Sequence, residues 1–204
     1  MKRITAIFIS FIICIASFAQ NQKIISDCTI LYSVSTSEKK NNDIGSKTFL
    51  IKGKDIRIDL VSKTFSQTVF YNSNTGNATV LKNVGESKYI SQYNADEWEK
   101  ANETYEGITV ALTDSTKNIL GYNCKQAILT LKNGSIYIIY FVPGLIPSVM
   151  ESPFEPKNIP GLVLEYESTI KGGEKILYAA QKIDFKPVAS FQFDIPKTGY
   201  RILH

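Results

Sequence analysis

Polar and apolar residues alternate with a period of two along most of the chain from about Cys28 onward. This period is typical of β-strands that have one face buried and the other in water. The segment 54–60 shows it most clearly, because Ile56, Ile58 and Leu60 share one face while Asp and Arg residues occupy the other. The pattern therefore predicts an amphipathic strand at this position.

Similar segments recur along the chain and are separated by turn residues, among which Asn133-Gly134 is the strongest hairpin signal. These segments are Thr29–Ser35, Ser46–Ile51, Gln67–Tyr71, Ala78–Leu81, Lys88–Ser91, Lys125–Leu131, Ser135–Val142, Leu162–Thr169 and Lys175–Phe185. We therefore predict a mainly β (α+β) fold, a single strongly curved antiparallel sheet or half-barrel of about 9–11 strands with one or two short helices. A β-sandwich is the alternative.

One segment, from Asn94 to about Tyr105, has helical spacing instead. Asn94 and Glu97 form a capping-box pattern, and Trp98 lies on the apolar side of the segment. The pattern predicts a helix of two to three turns that Trp98 places on one face of the sheet.

The segment Val142–Gly161 contains five of the seven prolines and is also apolar. Proline resists pairing in a central strand, and an apolar loop must lie against something. We expect the segment either to close the end of the core or to act as a lid or contact surface for a ligand. The residues of this candidate site are Pro143, Leu145, Ile146, Val149, Met150, Phe154, Ile159, Pro160, Gly161 and Leu162.

The first nineteen residues have the pattern of a cleavable secretory signal. Lys2 and Arg3 precede an apolar run, and Ser17-Phe18-Ala19 supplies small residues before the cleavage position. We therefore predict a signal peptide at 1–19, one β-rich domain at 20–204, and export to the periplasm, the cell envelope or the medium. No later stretch is long and apolar enough to predict a transmembrane span in the mature chain.

Cleavage would leave two cysteines, Cys28 and Cys124. In an oxidising compartment they could form one disulfide. Two buried free thiols are the alternative, because unpaired cysteine behaves as a small hydrophobic residue.

Charge and residue types exclude several function classes. Without Lys2 and Arg3 the chain has 21 basic and 19 acidic residues, too little excess charge for nucleic-acid binding. The single histidine is the terminal His204, and the sequence contains no nucleophile, phosphate-loop or metal-ligand motif, so we expect no catalytic residue, metal or cofactor. Glu165 and Glu167 share a strand face and could serve a hydrolase, although we favour a solvated face.

Two stretches resemble a known family. The segment Asn158–Glu165 is similar to the Gly-Leu-Pro-Gly-Leu-Ile signature of the GLPGLI family of exported Bacteroidetes proteins, with Asn158 in place of the first glycine. The segment Ile119–Ala127 is similar to the Gly-x-x-Cys-Lys-x-Ala stretch that precedes this signature in the family. The resemblance implies an exported envelope protein, in the relative group of unknown function.

The ending Ser190–Tyr200 resembles the last strand of LolA/LolB-like half-barrels. This resemblance implies a curved sheet around a hydrophobic hollow. We therefore expect a non-enzymatic cell-envelope binding protein that holds a lipid, an acyl chain or another apolar ligand in the concave face of its sheet. A structural or protein-interaction module with a filled core, partnered by an envelope protein, is the alternative. A carboxylate-dependent hydrolase is the third.

Overall fold

The computed structural model describes residues 22–36, 39–149, 159–169 and 173–203, without the side chains of residues 39–43. The predicted signal peptide at 1–19 lies outside these residues, as do Met150, Phe154 and His204.

Strands account for most of the described residues, which confirms a mainly β fold. The strands are β1 Lys23–Ile25, β2 Asp27–Thr36, β3 Lys39–Lys52, β4 Asp55–Ser62, β5 Phe65–Asn72, β6 Ala78–Val84, β7 Ser87–Tyr93, β8 Thr109–Ile119, β9 Tyr122–Thr130, β10 Ile136–Pro143, β11 Leu145–Pro147, β12 Gly161–Thr169, β13 Lys175–Asp184 and β14 Arg201–Ile202. The helices are α1 at Ala95–Ala101 and two 3₁₀ turns at Glu103–Tyr105 and Ser190–Phe193.

Twelve strands form one sheet in the order β14-β7-β6-β5-β4-β3-β2-β13-β12-β10-β9-β8, and β1 pairs with β11 in a separate two-stranded sheet. The prediction of 9–11 strands was therefore too low. The predicted single antiparallel sheet also differs from the structure, because β1 and β11 form a second sheet and because β1–β11 and β14–β7 are parallel pairs. Since β14 and β8 are both edges, the sheet is open.

The alternation of apolar and polar residues explains which face of β4 is buried. Ile56 is fully buried and Ile58 is nearly so, while Asp55, Arg57 and Asp59 are only half-buried. The buried set joins a core that runs from β2 to β12, and we call the face of the sheet that carries this core the inner face. The side of β4 that carries Arg57 belongs to the outer face.

Two strands of the large sheet were missed in the sequence. β8 at Thr109–Ile119 is an edge strand, and most of its residues are exposed, so it shows no alternation. β14 is only two residues long, and the 3₁₀ turn at Ser190–Phe193 occupies part of the segment Ser190–Tyr200 that resembles a last strand. An edge strand with both faces wet has no buried face for the sequence to reveal.

The predicted helix is confirmed in a shorter form. Asn94 caps α1 through a hydrogen bond from the Glu97 amide at 3.0 Å, and the Glu97 carboxylate accepts from the Asn94 amide at 2.9 Å. The Trp98 ring packs against Tyr93 of β7 at 5.5 Å between ring centroids. The capping box and the docking residue are therefore those that the sequence predicted.

Candidate functional site

The first part of the proline-rich segment belongs to the β-structure. Pro143 ends β10, and Leu145 and Ile146 lie in β11, which pairs with Lys23–Ile25 of β1. Val149 is 5% exposed and packs into the core. Of the ten candidate residues, Met150 and Phe154 lie outside the described part of the chain.

The second part of the segment enters the central strand β12. Ile159 and Leu162 are core residues that are almost fully buried, and Pro160 between them is exposed. A Cβ atom at Gly161 would collide with the carbonyl group of Val142 and with the Phe141 ring. The glycine of the family-like motif therefore permits close approach of β10 and β12, and the described part of this segment closes the core. A lid function for it stays a prediction.

Cys28 and Cys124 are free thiols with no exposed surface. They lie on β2 and β9, which β13, β12 and β10 separate in the sheet. Four strand spacings amount to about 19 Å along the sheet, whereas a disulfide requires Cα atoms within about 7 Å. In the structure the two cysteines are therefore buried free thiols, which is the alternative that the sequence left open beside a disulfide.

Burial also controls the acidity of these thiols. It raises the pKa of Cys28 to about 12, and the negative charge of Asp184 adds to this rise. It raises the pKa of Cys124 to about 11, although a hydrogen bond involving the Ile119 backbone opposes the effect. Both thiols are therefore protonated at neutral pH, and neither is a nucleophile.

The interpretation of Glu165 as part of a solvated face was wrong. Glu165 is 9% exposed, and the Lys117 ammonium donates to its carboxylate at 2.6 Å. Glu167 accepts from the amide of Ile138 at 3.4 Å and lies 3.5 Å from the Lys175 ammonium. From Gly161 to Tyr166 the strand β12 is buried on both faces, so Glu165 is paired with a lysine rather than hydrated, whereas Glu167 is half-buried.

A buried lysine on the inner face escaped the sequence analysis. Lys47 is 2% exposed and donates to the Tyr166 hydroxyl at 2.6 Å. Its ammonium also lies 4.9–5.7 Å from the centroids of the aromatic rings of Tyr32, Phe49, Tyr166 and Tyr178. Cation–π attraction and the hydroxyl contact are among the interactions that offset removal of this charge from water. We call these five residues the Lys47 cluster.

A small cavity adjoins the Lys47 cluster at Tyr166. This cavity of about 10 Å³ lies between Tyr105 and Ile108 on one side and Tyr137, Ile139 and Tyr166 on the other. This volume is close to the minimum that one water molecule requires. A lipid bound here would need these side chains to move.

The C-terminal segment 185–200, which we call the strap, lies on the outer face of the N-terminal strands. The Lys52 ammonium donates to the Val188 carbonyl at 2.6 Å, and the Val188 amide donates to Asp27 at 3.0 Å. Further along the strap, the Arg57 guanidinium donates to the Gln192 carbonyl at 2.7 Å. Charged residues that alternation placed on the outer face thus hold the strap on the sheet.

A cleft of about 290 Å³ lies between the strap and the ends of β4, β5 and β6. We call it the strap cleft. Its lining residues are Asp55, Ile56, Phe70, Tyr71, Asn72, Asn77, Ala78, Thr79, Phe193 and Ile195. Apolar walls with a few polar groups are typical of small-molecule sites, and the volume is near the lower limit of such sites.

The polar end of the strap cleft is held in one arrangement. The Asn72 amide nitrogen donates to the Asp55 carboxylate at 2.6 Å. The Asn72 side-chain oxygen in turn accepts from the backbone amides of Asn74 and Thr75, each at 3.0 Å. The turn between β5 and β6 therefore fixes Asn72, and Asn72 orients Asp55.

The sequence contained only part of the signal for the strap cleft. Alternation placed Asp55 outward, but nothing in the pattern indicated that Phe193 would lie nearby, since 138 residues separate the two along the chain. The strap residues Pro187 and Pro196 were a usable signal, because proline disfavours the continuous strand that the resemblance implied.

Residues 22–36, 39–149, 159–169 and 173–203 contain neither a metal-ion cluster nor a membrane-spanning helix. No group of three or more His, Cys, Asp or Glu residues is arranged there to hold a metal ion. No helix of those ranges combines the length and apolar character needed to cross a bilayer.

No protein-family model and no curated protein matches this chain. The fold is similar to that of PNGF-II in a C2 crystal form, with a TM-score of 0.53 and 17% identity over 86% of this chain and 30% of that protein. A P21 form of PNGF-II gives a TM-score of 0.54 with 16% identity over 87% and 31%. MucB gives a TM-score of only 0.39 with 10% identity over 87% of this chain and 59% of MucB.

The similarity to PNGF-II concerns the fold alone, and this chain spans less than a third of the length of that protein. The GLPGLI and LolA/LolB-like resemblances stay predictions from the motifs.

Proposed function

We propose that this protein is a non-enzymatic, exported binding protein of the cell envelope, and that it holds a small apolar ligand in the strap cleft. The single observation that carries the proposal is this cleft, whose walls include Phe70, Phe193 and Ile195 and whose end carries the fixed Asp55–Asn72 pair. Preformed apolar clefts with few oriented polar groups are the usual sites of small-molecule binding.

The strap cleft replaces the concave face as the proposed ligand site. On the inner face, the space beside the Lys47 cluster is about 10 Å³, whereas the strap cleft measures about 290 Å³. A ligand can therefore enter the strap cleft without repacking of the core.

A non-catalytic function agrees with the chemistry of the described residues. Each acid of β12 is paired with a lysine, and both thiols have pKa values of about 11 or more. The fold of this chain also occurs within a longer protein, PNGF-II, of which it covers about 30%. A binding module can serve either alone or within a longer chain.

The first test is native mass spectrometry of the mature protein, purified without detergent from its own envelope, with solvent extraction of bound material. We expect one small apolar molecule per chain. The second test is titration with n-octanol by calorimetry, in which we expect saturable binding at one site.

Two matched variants locate the site. Phe193→Ala removes a wall of the strap cleft and should weaken octanol binding about tenfold, which corresponds to about 1.4 kcal/mol. Phe191→Ala changes a ring of the same 3₁₀ turn that is 68% exposed and does not line the cleft, so it should leave affinity unchanged. Equal weakening in both variants, or no octanol binding at all, would overturn the proposal.

A further inference from the structure

The polar end of the strap cleft contains a carboxylate, Asp55, that makes no direct ion pair within the described residues. Within the described part of the chain, no lysine or arginine nitrogen lies within 4.0 Å of the Asp55 carboxylate. The two neighbouring cations are engaged elsewhere. Arg57 of the same strand pairs with Asp59 at 2.9 Å. Lys52, which lies opposite Asp55 on β3, donates to the Val188 carbonyl at 2.6 Å and lies 3.8 Å from Asp27. The one hydrogen bond that Asp55 accepts comes from the neutral Asn72 amide.

We propose that the ligand of the strap cleft is an apolar amine, whose ammonium group pairs with Asp55 while its chain or ring lies against Phe70, Phe193 and Ile195. This inference rests on the proposed binding function and adds the charge of the ligand to it. The observation behind it is charge complementarity at the polar end of a cleft whose other walls are apolar.

The geometry of Asp55 suits an ammonium group. An ionised carboxylate offers about four acceptor positions, and only one hydrogen bond to it, from Asn72, is formed within the described residues. An ammonium supplies three donors and no acceptor, so it can use positions that a second carboxylate could not. Asn72 keeps Asp55 oriented, which lowers the entropic cost of binding.

The aromatic residues add to this preference. Tyr71 and Phe193 line the cleft, and a cation near an aromatic ring is attracted by the ring quadrupole. The chain already uses this contact beside the cleft, because the Arg57 guanidinium lies 5.5 Å from the centroid of the Phe70 ring. An anionic ligand would instead meet the like charge of Asp55, which selects against it.

The test compares three ligands with the same alkyl chain and different charge. Calorimetric titration of the mature protein at neutral pH with n-octylammonium, n-octanol and n-octanoate separates the charge from the apolar contribution. We expect octylammonium to bind about five- to tenfold more tightly than octanol, as one partly exposed ion pair and a cation–π contact allow. We expect octanoate to bind most weakly.

Two variants assign the preference to Asp55. Asp55→Asn should remove the five- to tenfold advantage of octylammonium over octanol, measured as the ratio of the two affinities in the same variant. Asp194→Asn is the matched control, since Asp194 is an exposed acid of the strap that does not line the cleft. It should retain the full advantage, and circular dichroism should show that both variants fold.

Each outcome decides between the two proposals. Equal binding of octanol and octylammonium overturns the amine preference and leaves the binding function standing. No binding by any of the three ligands overturns both. Loss of octanol and octylammonium binding together in Asp55→Asn assigns Asp55 a structural function in the cleft and also overturns the amine preference. An Asp194→Asn variant that loses the advantage equally would do the same.

Discussion

The two halves of the large sheet use their outer faces differently. In the N-terminal half, β2 to β7, strand β4 alternates between buried and half-buried residues, and its polar residues hold the strap. In the C-terminal half, formed by β8, β9, β10, β12 and β13, strand β12 is buried on both faces from Gly161 to Tyr166. The difference shows that a charged residue in a strand does not by itself indicate a wet face, because Glu165 is buried with its own lysine.

The largest expected effect concerns Gly161, the first residue of β12, compared with Gly53 in the turn that precedes β4. Gly161→Ala would force a Cβ atom against the Val142 carbonyl and separate β10 from β12. We expect a loss of about 3 kcal/mol of unfolding free energy, measured by urea denaturation. The control is Gly53→Ala, in the turn before β4, where a Cβ atom meets nothing within 4 Å and only the positive φ of 60° is unfavourable. A loss of about 1 kcal/mol is expected there.

A Gly161→Ala variant that is as stable as Gly53→Ala would contradict the close approach of β10 and β12. It would also remove the physical reason for glycine at this position of the family-like motif.

The second effect concerns the ion pairs of the two strands. Glu165→Gln leaves the Lys117 ammonium with a neutral partner in a pair whose acid side chain is 12% exposed. We expect a loss of about 2 kcal/mol, less than for a fully buried pair because Lys117 is partly exposed. Asp59→Asn in β4 breaks the pair with Arg57, whose acid side chain is 22% exposed, and the expected loss is below about 1 kcal/mol. Urea denaturation measures both variants. Equal losses of unfolding free energy in Glu165→Gln and Asp59→Asn would mean that the ion pairs of the two halves contribute alike.

The third effect is a dependence of unfolding free energy on pH, which arises from the one buried thiol in each half of the sheet. Unfolded thiols ionise near pH 8.5–9, but the folded pKa values are about 12 for Cys28 and about 11 for Cys124. Between about pH 9 and pH 11 the unfolded state therefore holds fewer protons, and unfolding free energy falls by about 1.4 kcal/mol per pH unit for each thiol. The contribution is complete below pH 8.5 and is lost as pH rises.

Urea denaturation at pH 8, 9 and 10 measures this slope, and a Cys28→Ala/Cys124→Ala variant provides the comparison. The double variant should lose stability less steeply with pH than the natural chain. Identical slopes would contradict the pKa values. In the mature protein, which lacks Cys14, a thiol reagent should also detect two thiols after denaturation without reductant, whereas a disulfide would leave none.

The smallest effect lies in the turn between β8 and β9. Leu120 has a φ of 52° and is 44% exposed, so it carries backbone strain without contributing much packing. Leu120→Asn should raise unfolding free energy by about 0.5–1 kcal/mol, because asparagine tolerates the left-handed region. Leu112→Asn changes an exposed leucine within strand β8 and should bring no gain. A gain in both would indicate that exposed leucine, rather than strain, is the cause.

The features that the sequence predicted correctly depend on residues that are close together along the chain. The capping box of Asn94 and Glu97, the hairpin at Asn133-Gly134 and the inward isoleucines of β4 each depend on residues a few positions apart. Glu165 was misjudged because its burial depends on Lys117, which β8 supplies from 48 residues away.

The candidate site was predicted least well, for the same reason. The strap cleft joins Asp55 to Phe193, and the Lys47 cluster joins β3 to Tyr166 and Tyr178 of the other half. A periodic pattern of polar and apolar residues does not indicate which residues far apart along the chain come into contact. The apolar character of the proline-rich segment was recognised, but a buried end of the core and a ligand contact produce the same composition.

The sheet order has a kinetic consequence. Strands β2 to β7 are joined by short connections and pair with their chain neighbours, and β8 to β10 do the same. The junction of the halves is the pair β2–β13, in which Tyr32 lies opposite Ala180, 148 residues away. Closing so long a loop is entropically costly and comes after local pairing, so we expect two independently forming meanders and a slow final step that joins them. Until that step, β2 presents an unpaired edge to any neighbouring chain.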